Sequence, residues 1–104
     1  MKTPAHADRI WYIECLSDKT YEFVVNNIES CTDETALCKD ATVSTFVNRK
    51  SVVVKKDLIR IDASGIEKLN DHKRRLQLNY RLYIQESRGA KITPWILEHR
   101  THDW

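Results

Sequence analysis

Residues 74–87 read RRLQLNYRLYIQES, and two periodicities in this stretch lead to different folds. By twos, Leu76, Leu78, Tyr80, Leu82 and Ile84 alternate with Gln77, Asn79, Arg81, Tyr83 and Gln85, as in a half-buried strand. By 3.6, counting from further upstream, Ile66 and Ile84 fall at the same angle. Leu69, Leu76, Tyr80 and Tyr83 then lie within about 100° of them, as a core-facing helical stripe requires.

The flanks favour the helix. The chain has only two glycines, Gly65 and Gly89, and they bracket the segment. Ser64 stands three residues before Glu67, the reciprocal capping pattern of a helix start. Gly89 follows Arg88 where a left-handed helix terminus would fall, with the arginine placed to meet the dipole. One helix from Ser64 to Arg88 is therefore expected. The alternative is a helix ending near Arg75 followed by a strand.

Upstream, RIWYIECL places Trp11, Ile13 and Cys15 on one face, and SDKT offers turn residues before YEFVV, in which Tyr21, Phe23 and Val25 share a face. This predicts a first hairpin. Thr32 is a candidate cap for a short helix through Cys38, with Asp33 and Glu34 in its first turn. ATVSTFV and SVVVKK, joined by NRK, predict a second hairpin rich in β-branched residues, and DLIRID one further short strand. Downstream, Thr93 and Pro94 have the cap and first-position chemistry of a short terminal helix. The fold class expected is α+β: an antiparallel sheet of about four strands packed on one long helix, with short additional helices.

With 104 residues, 41% of them hydrophobic and 31% charged, the chain suffices for one modest core. A single domain over 1–104 is expected, with flexible ends at 1–8 and 99–104. The longest apolar runs, Val52–Val54 and Trp95–Leu97, fall far short of the ~20 residues that span a bilayer. The opening MKTPAHADR has no apolar signal-peptide core, so a cytoplasmic protein without a membrane partner is expected. Cys15, Cys31 and Cys38 read as free thiols in a reducing compartment; a Cys31–Cys38 disulfide is allowed but not required.

Net charge is only +2, but it is unevenly placed. Residues 1–50 hold six Lys and Arg against eight Asp and Glu, and residues 51–104 hold eleven against seven. On the helical reading, Arg74, Arg81 and Arg88 recur every seven residues along one edge of the apolar stripe, and Lys73 lies within it, forming a cationic ridge. Guanidinium forks at that spacing suit carboxylates or phosphates. The other reading is a solvated face, pairing with the acidic first half. Lys55, Lys56 and Arg60 are candidates to extend the basic surface. The same wheel leaves Leu78 and Leu82 opposite the core stripe, a contact for a partner or a second copy, and a weak homodimer is expected. Trp104 is a candidate partner anchor, against the bland reading of a frayed terminus.

No glycine-rich phosphate loop, Gly-x-Ser-x-Gly elbow or acidic metal cluster occurs in the sequence. His99 and His102 with Cys31 and Cys38 have the wrong spacing for a zinc knuckle. Cys15 with His72 is weak as a nucleophile pair, because Cys15 falls on an apolar strand face. No catalytic residues, cofactor or metal are therefore expected. The function expected is that of a small non-enzymatic binding or regulatory protein, of inhibitor or adaptor type. Its partner would be a protein with an acidic surface, in a nucleic-acid-handling complex. The alternative is direct nucleic-acid binding through the basic helix face.

Overall fold

Residues 9–95, described by a computed structural model, form five strands and two helices. In chain order these are β1 (Ile10–Cys15), α1 (Asp18–Asn27), two 3-10 turns (Glu29–Cys31 and Glu34–Ala36), β2 (Leu37–Val47), β3 (Lys50–Ile61), α2 (Ala63–Leu76), β4 (Tyr80–Gln85) and β5 (Ile92–Pro94). The strands close into a barrel in the order β1-β3-β2-β5-β4, with β4 pairing back onto β1. All pairings are antiparallel except β2 with β5, which meet in parallel at Val43 and Ile92.

The barrel replaces the expected sheet on one long helix. In the deciding stretch, α2 ends at Leu76 and Gln77 takes the left-handed conformation at φ 55°, ψ 46°. The N–H groups of Gln77 and Leu78 both donate to the Lys73 carbonyl, closing the helix without glycine. Lys73, Arg74 and Arg75 in the last turn suit the negative end of the dipole. The chain is then pinned as a strand: Asn79 N–H donates to Thr20 Oγ1 at 2.7 Å, and Leu16 N–H donates to the Asn79 carbonyl at 2.9 Å. Six antiparallel pairs with β1 follow, from Cys15–Tyr80 to Ile10–Gln85. The alternation in the sequence thus belongs to a strand, with Leu82 and Ile84 on the face that the helices cover and Tyr83 on the other.

The expected first hairpin is also corrected. Ser17 caps α1, accepting from Thr20 N–H, and Thr20, Val24 and Ile28 recur every four residues into the core. The apolar alternation of Tyr21, Phe23 and Val25 is overridden by that cap and spacing, and Tyr21 is left exposed. In place of a helix from Thr32, Asp33 caps the second 3-10 turn and β2 begins at Leu37. Asp62, not Ser64, caps α2: its Oδ1 accepts from Gly65 N–H at 2.8 Å and from the Ser64 hydroxyl at 3.1 Å. DLIRI continues β3, and Thr93 and Pro94 lie in β5 in place of a helix. The second hairpin forms as β2 and β3.

Both helices cover the outer face of β1, β3 and β4. There Trp11, Ile13, Ile59, Ile61 and Ile84 pack with Val24, Ile28, Ile66, Leu69 and Leu78. Trp95 adds an edge-on contact with Trp11, ring centroids 5.2 Å apart. Tyr12, Val43, Leu58 and Tyr83 form a second cluster on the opposite strand face, the barrel interior. A small barrel of this kind is filled by its own side chains. Among the described residues no helix is long and apolar enough to cross a membrane. The ends 1–8 and 99–104, Ile96, Leu97 and Trp104 lie outside the described residues.

Candidate interaction surface

The break at Gln77 dissolves the arginine ridge. Lys73 and Arg74 are exposed on α2, Arg81 is on β4, and Arg88 is in the turn before β5, so their seven-residue spacing no longer aligns them. Lys73 Nζ stands over the Tyr80 ring, 5.1 Å from its centroid. Arg81 Nη1 approaches Glu14 Oε1 at 4.0 Å. Leu78 is buried in the core and Leu82 packs against it, so the exposed leucine pair expected to drive a homodimer does not exist.

A different feature stands out. β2 and β3 are 11 and 12 residues long, whereas β1 and β4 have six each. β1 engages β3 only at Ile59, Arg60 and Ile61, and β5 engages β2 only at Val43. Between these points the two long strands pair only with each other among the described residues, from Ser44–Val53 to Val47–Lys50. The result is a two-stranded arm reaching about 14 Å beyond Val43. Its turn has positive φ at both central residues, Asn48 (52°) and Arg49 (66°), the geometry whose twist suits a two-residue hairpin.

Apolar side chains crowd this arm. Phe46 is 75% exposed, Val53 63% and Val47 53%. Cross-strand pairing puts Phe46 with Ser51, Ser44 with Val53 and Thr42 with Lys55 on one face, where Lys55 Nζ donates to Thr42 Oγ1 at 2.8 Å. Residues 41–56 contain Arg49, Lys50, Lys55 and Lys56 and no acidic residue. Lys56 turns the other way, 3.5 Å from the half-buried Glu14 carboxylate, which also accepts from the Tyr83 hydroxyl at 2.7 Å. Burial first, and then that bond, push the Tyr83 hydroxyl up to about 12. The arm therefore presents apolar residues bordered by three cations, Arg49, Lys50 and Lys55, while its fourth is tied to the barrel. The sequence reading predicts the hairpin but not its projection from the barrel. The signal was there in its length and its missing acids.

The rest of the surface offers less. A cleft of about 550 Å³ lies between β1, the 3-10 turns and the start of α2, lined by Arg9, Trp11, Asp33, Arg60 and Asp62 among others. Its two carboxylates already serve as helix caps, and Arg9 is bonded to Glu86 at 3.1 Å. Cations and anions are balanced there, favouring no ligand charge. Burial pushes the Cys15 and Cys31 thiols up to about 11, which suppresses the nucleophilic thiolate. His72 is engaged with the Lys68 carbonyl at 2.8 Å. Among the described residues no three His, Cys, Asp or Glu side chains are grouped to hold a metal; His99 and His102 lie outside them. In comparisons with known proteins the chain matches no family model, no curated protein and no solved structure.

Proposed function

We propose that this chain is a small non-enzymatic binding protein, of inhibitor or adaptor type, whose β2–β3 arm docks on another protein with an acidic surface. The observation that carries the reading is Phe46, three-quarters exposed near the tip of a projecting arm, with Val53 on the same face and Val47 exposed on the other. A large aromatic held there is costly in water and becomes favourable when buried in a partner's pocket, and such residues dominate binding energy. Arg49, Lys50 and Lys55 border it, which favours an acidic rim on the partner and speeds encounter.

The second reading is direct nucleic-acid binding, and the absence of any acid from residues 41–56 favours it, since a two-stranded ribbon fits a major groove. Exposed valines and a phenylalanine gain little from phosphates, so protein contact is preferred. Phe46→Ser with Val53→Ser decides between the two. These exposed changes are expected to alter stability by about 0.5 kcal/mol or less each. In affinity capture from nuclease-treated cells, the double variant should lose an acidic protein that the wild type retains, a loss of at least about 30-fold in affinity for an aromatic hot spot. Equal capture by both forms would reject the arm as the contact. Retention abolished by nuclease alone would favour nucleic acid.

A further inference from the structure

Resting on the arm as the contact surface, we infer that the outer edge of β3 is a docking strand, to which an extended acidic segment of the partner adds as an extra strand. The tight turn pairs Val47 with Lys50, so ladder bonds between the arm's strands alternate from that pair. Ser51, Val53 and Lys55 consequently turn their backbone N–H and C=O groups away from β2. Nothing occupies that side among the described residues until β1 begins to pair at Ile59. An edge with three successive open donor–acceptor positions is the template that strand addition uses.

The side chains select the occupant. Val53, 63% exposed, is followed on the same face by Lys55, and Lys50 and Arg49 lie at the tip. A segment alternating apolar and acidic residues would set its aliphatic groups on the face of Val53 and Phe46 and its carboxylates on the opposite face, beside Lys50. A second copy of the arm would bring the same cations together, and like charges across a ladder are destabilising. Edge lysines thus discourage self-pairing while admitting an acidic strand.

The test uses the full chain and a capped synthetic peptide of about eight residues alternating glutamate with valine, with oligothymidylate as the competing probe. At saturating peptide, amide exchange at Ser51, Val53 and Lys55 should slow by at least about ten-fold, while Val52 and Val54, already bonded to β2, should not change. Ser51→Pro removes one outward donor at a position where an edge strand tolerates proline, and should weaken peptide binding about ten-fold, whereas Ser51→Ala should not. Lys55→Pro serves the same purpose if Ser51→Pro proves unfolded by its amide spectrum. Absent peptide binding, unpatterned protection, or proline variants that bind normally would each overturn strand addition. If the proline variants bind normally but Phe46→Ser does not, the arm docks by side chains and the proposed function survives. If Phe46→Ser also binds normally, or only oligothymidylate binds, the proposed function falls as well.

Discussion

Gly65 marks the point where α2 passes closest to its neighbours. A Cβ there would lie 2.8 Å from both Ile28 Cγ2 and Ile61 Cγ1. Alanine is the better helix former, by up to about 1 kcal/mol. Overpacking a filled site costs about 1 to 3 kcal/mol, so Gly65→Ala should destabilise the protein despite its propensity. Urea denaturation gives the sign directly, and a more stable variant would mean that the two isoleucines move aside freely. In the sequence this glycine serves only as part of a helix-start pattern. Its packing role depends on Ile28 and Ile61, which no local pattern places against it. Gly89 was legible in conformation alone: its φ is 88°, but it turns the chain between β4 and β5 and ends no helix.

At the scale of elements, the helix-to-strand switch turns on Gln77. A left-handed residue other than glycine carries a cost of roughly 1 to 2 kcal/mol, here met by the capping bonds to Lys73 and by β4 pairing with β1. Gln77→Gly should relieve part of it and raise stability by about 0.5 to 1 kcal/mol, read as a higher denaturation midpoint at unchanged slope. A lower midpoint would show that the Gln77 side chain matters more than its backbone. The hairpin β2–β3, the strand β1 and a helix start near residue 63 were legible, because alternation, β-branching and capping chemistry are local. The end of α2 was legible only as the alternative, a helix ending near Arg75 followed by a strand, since glutamine gives no stop signal and Gly89 offers a false one. α1 was missed because Tyr21, Phe23 and Val25 imitate a strand, and only the Ser17 cap contradicts them. Nor was the arm, whose exposure depends on how short β1, β4 and β5 are beside it.

At the scale of the whole molecule, among the described residues, burial favours the neutral forms of five weak acids: Cys15 and Cys31 are pushed up to about 11, Tyr83 up to about 12, and Tyr12 and Tyr80 are also raised. Each binds its proton more tightly folded than unfolded. Their contribution to stability is therefore complete below a pH of about 9, where unfolded thiols begin to ionise, and is lost as pH rises through 11 and 12. The melting temperature should fall with a steepening slope above pH 9, and a flat profile from pH 8 to 11 would contradict that burial. The strand order carries a further consequence, for the sequence of events in folding. β1, which precedes the other strands in the chain, is hydrogen-bonded on one side to residues 59–61 and on the other to residues 80–85. The β2–β3 hairpin needs only its own turn and can form in about 1 to 10 μs. Closure must wait for ends some 75 residues apart, which places the chain among slow, topology-limited folders. During that wait Trp11 and Ile13 are uncovered, so the barrel depends most on its earliest strand when it is least protected.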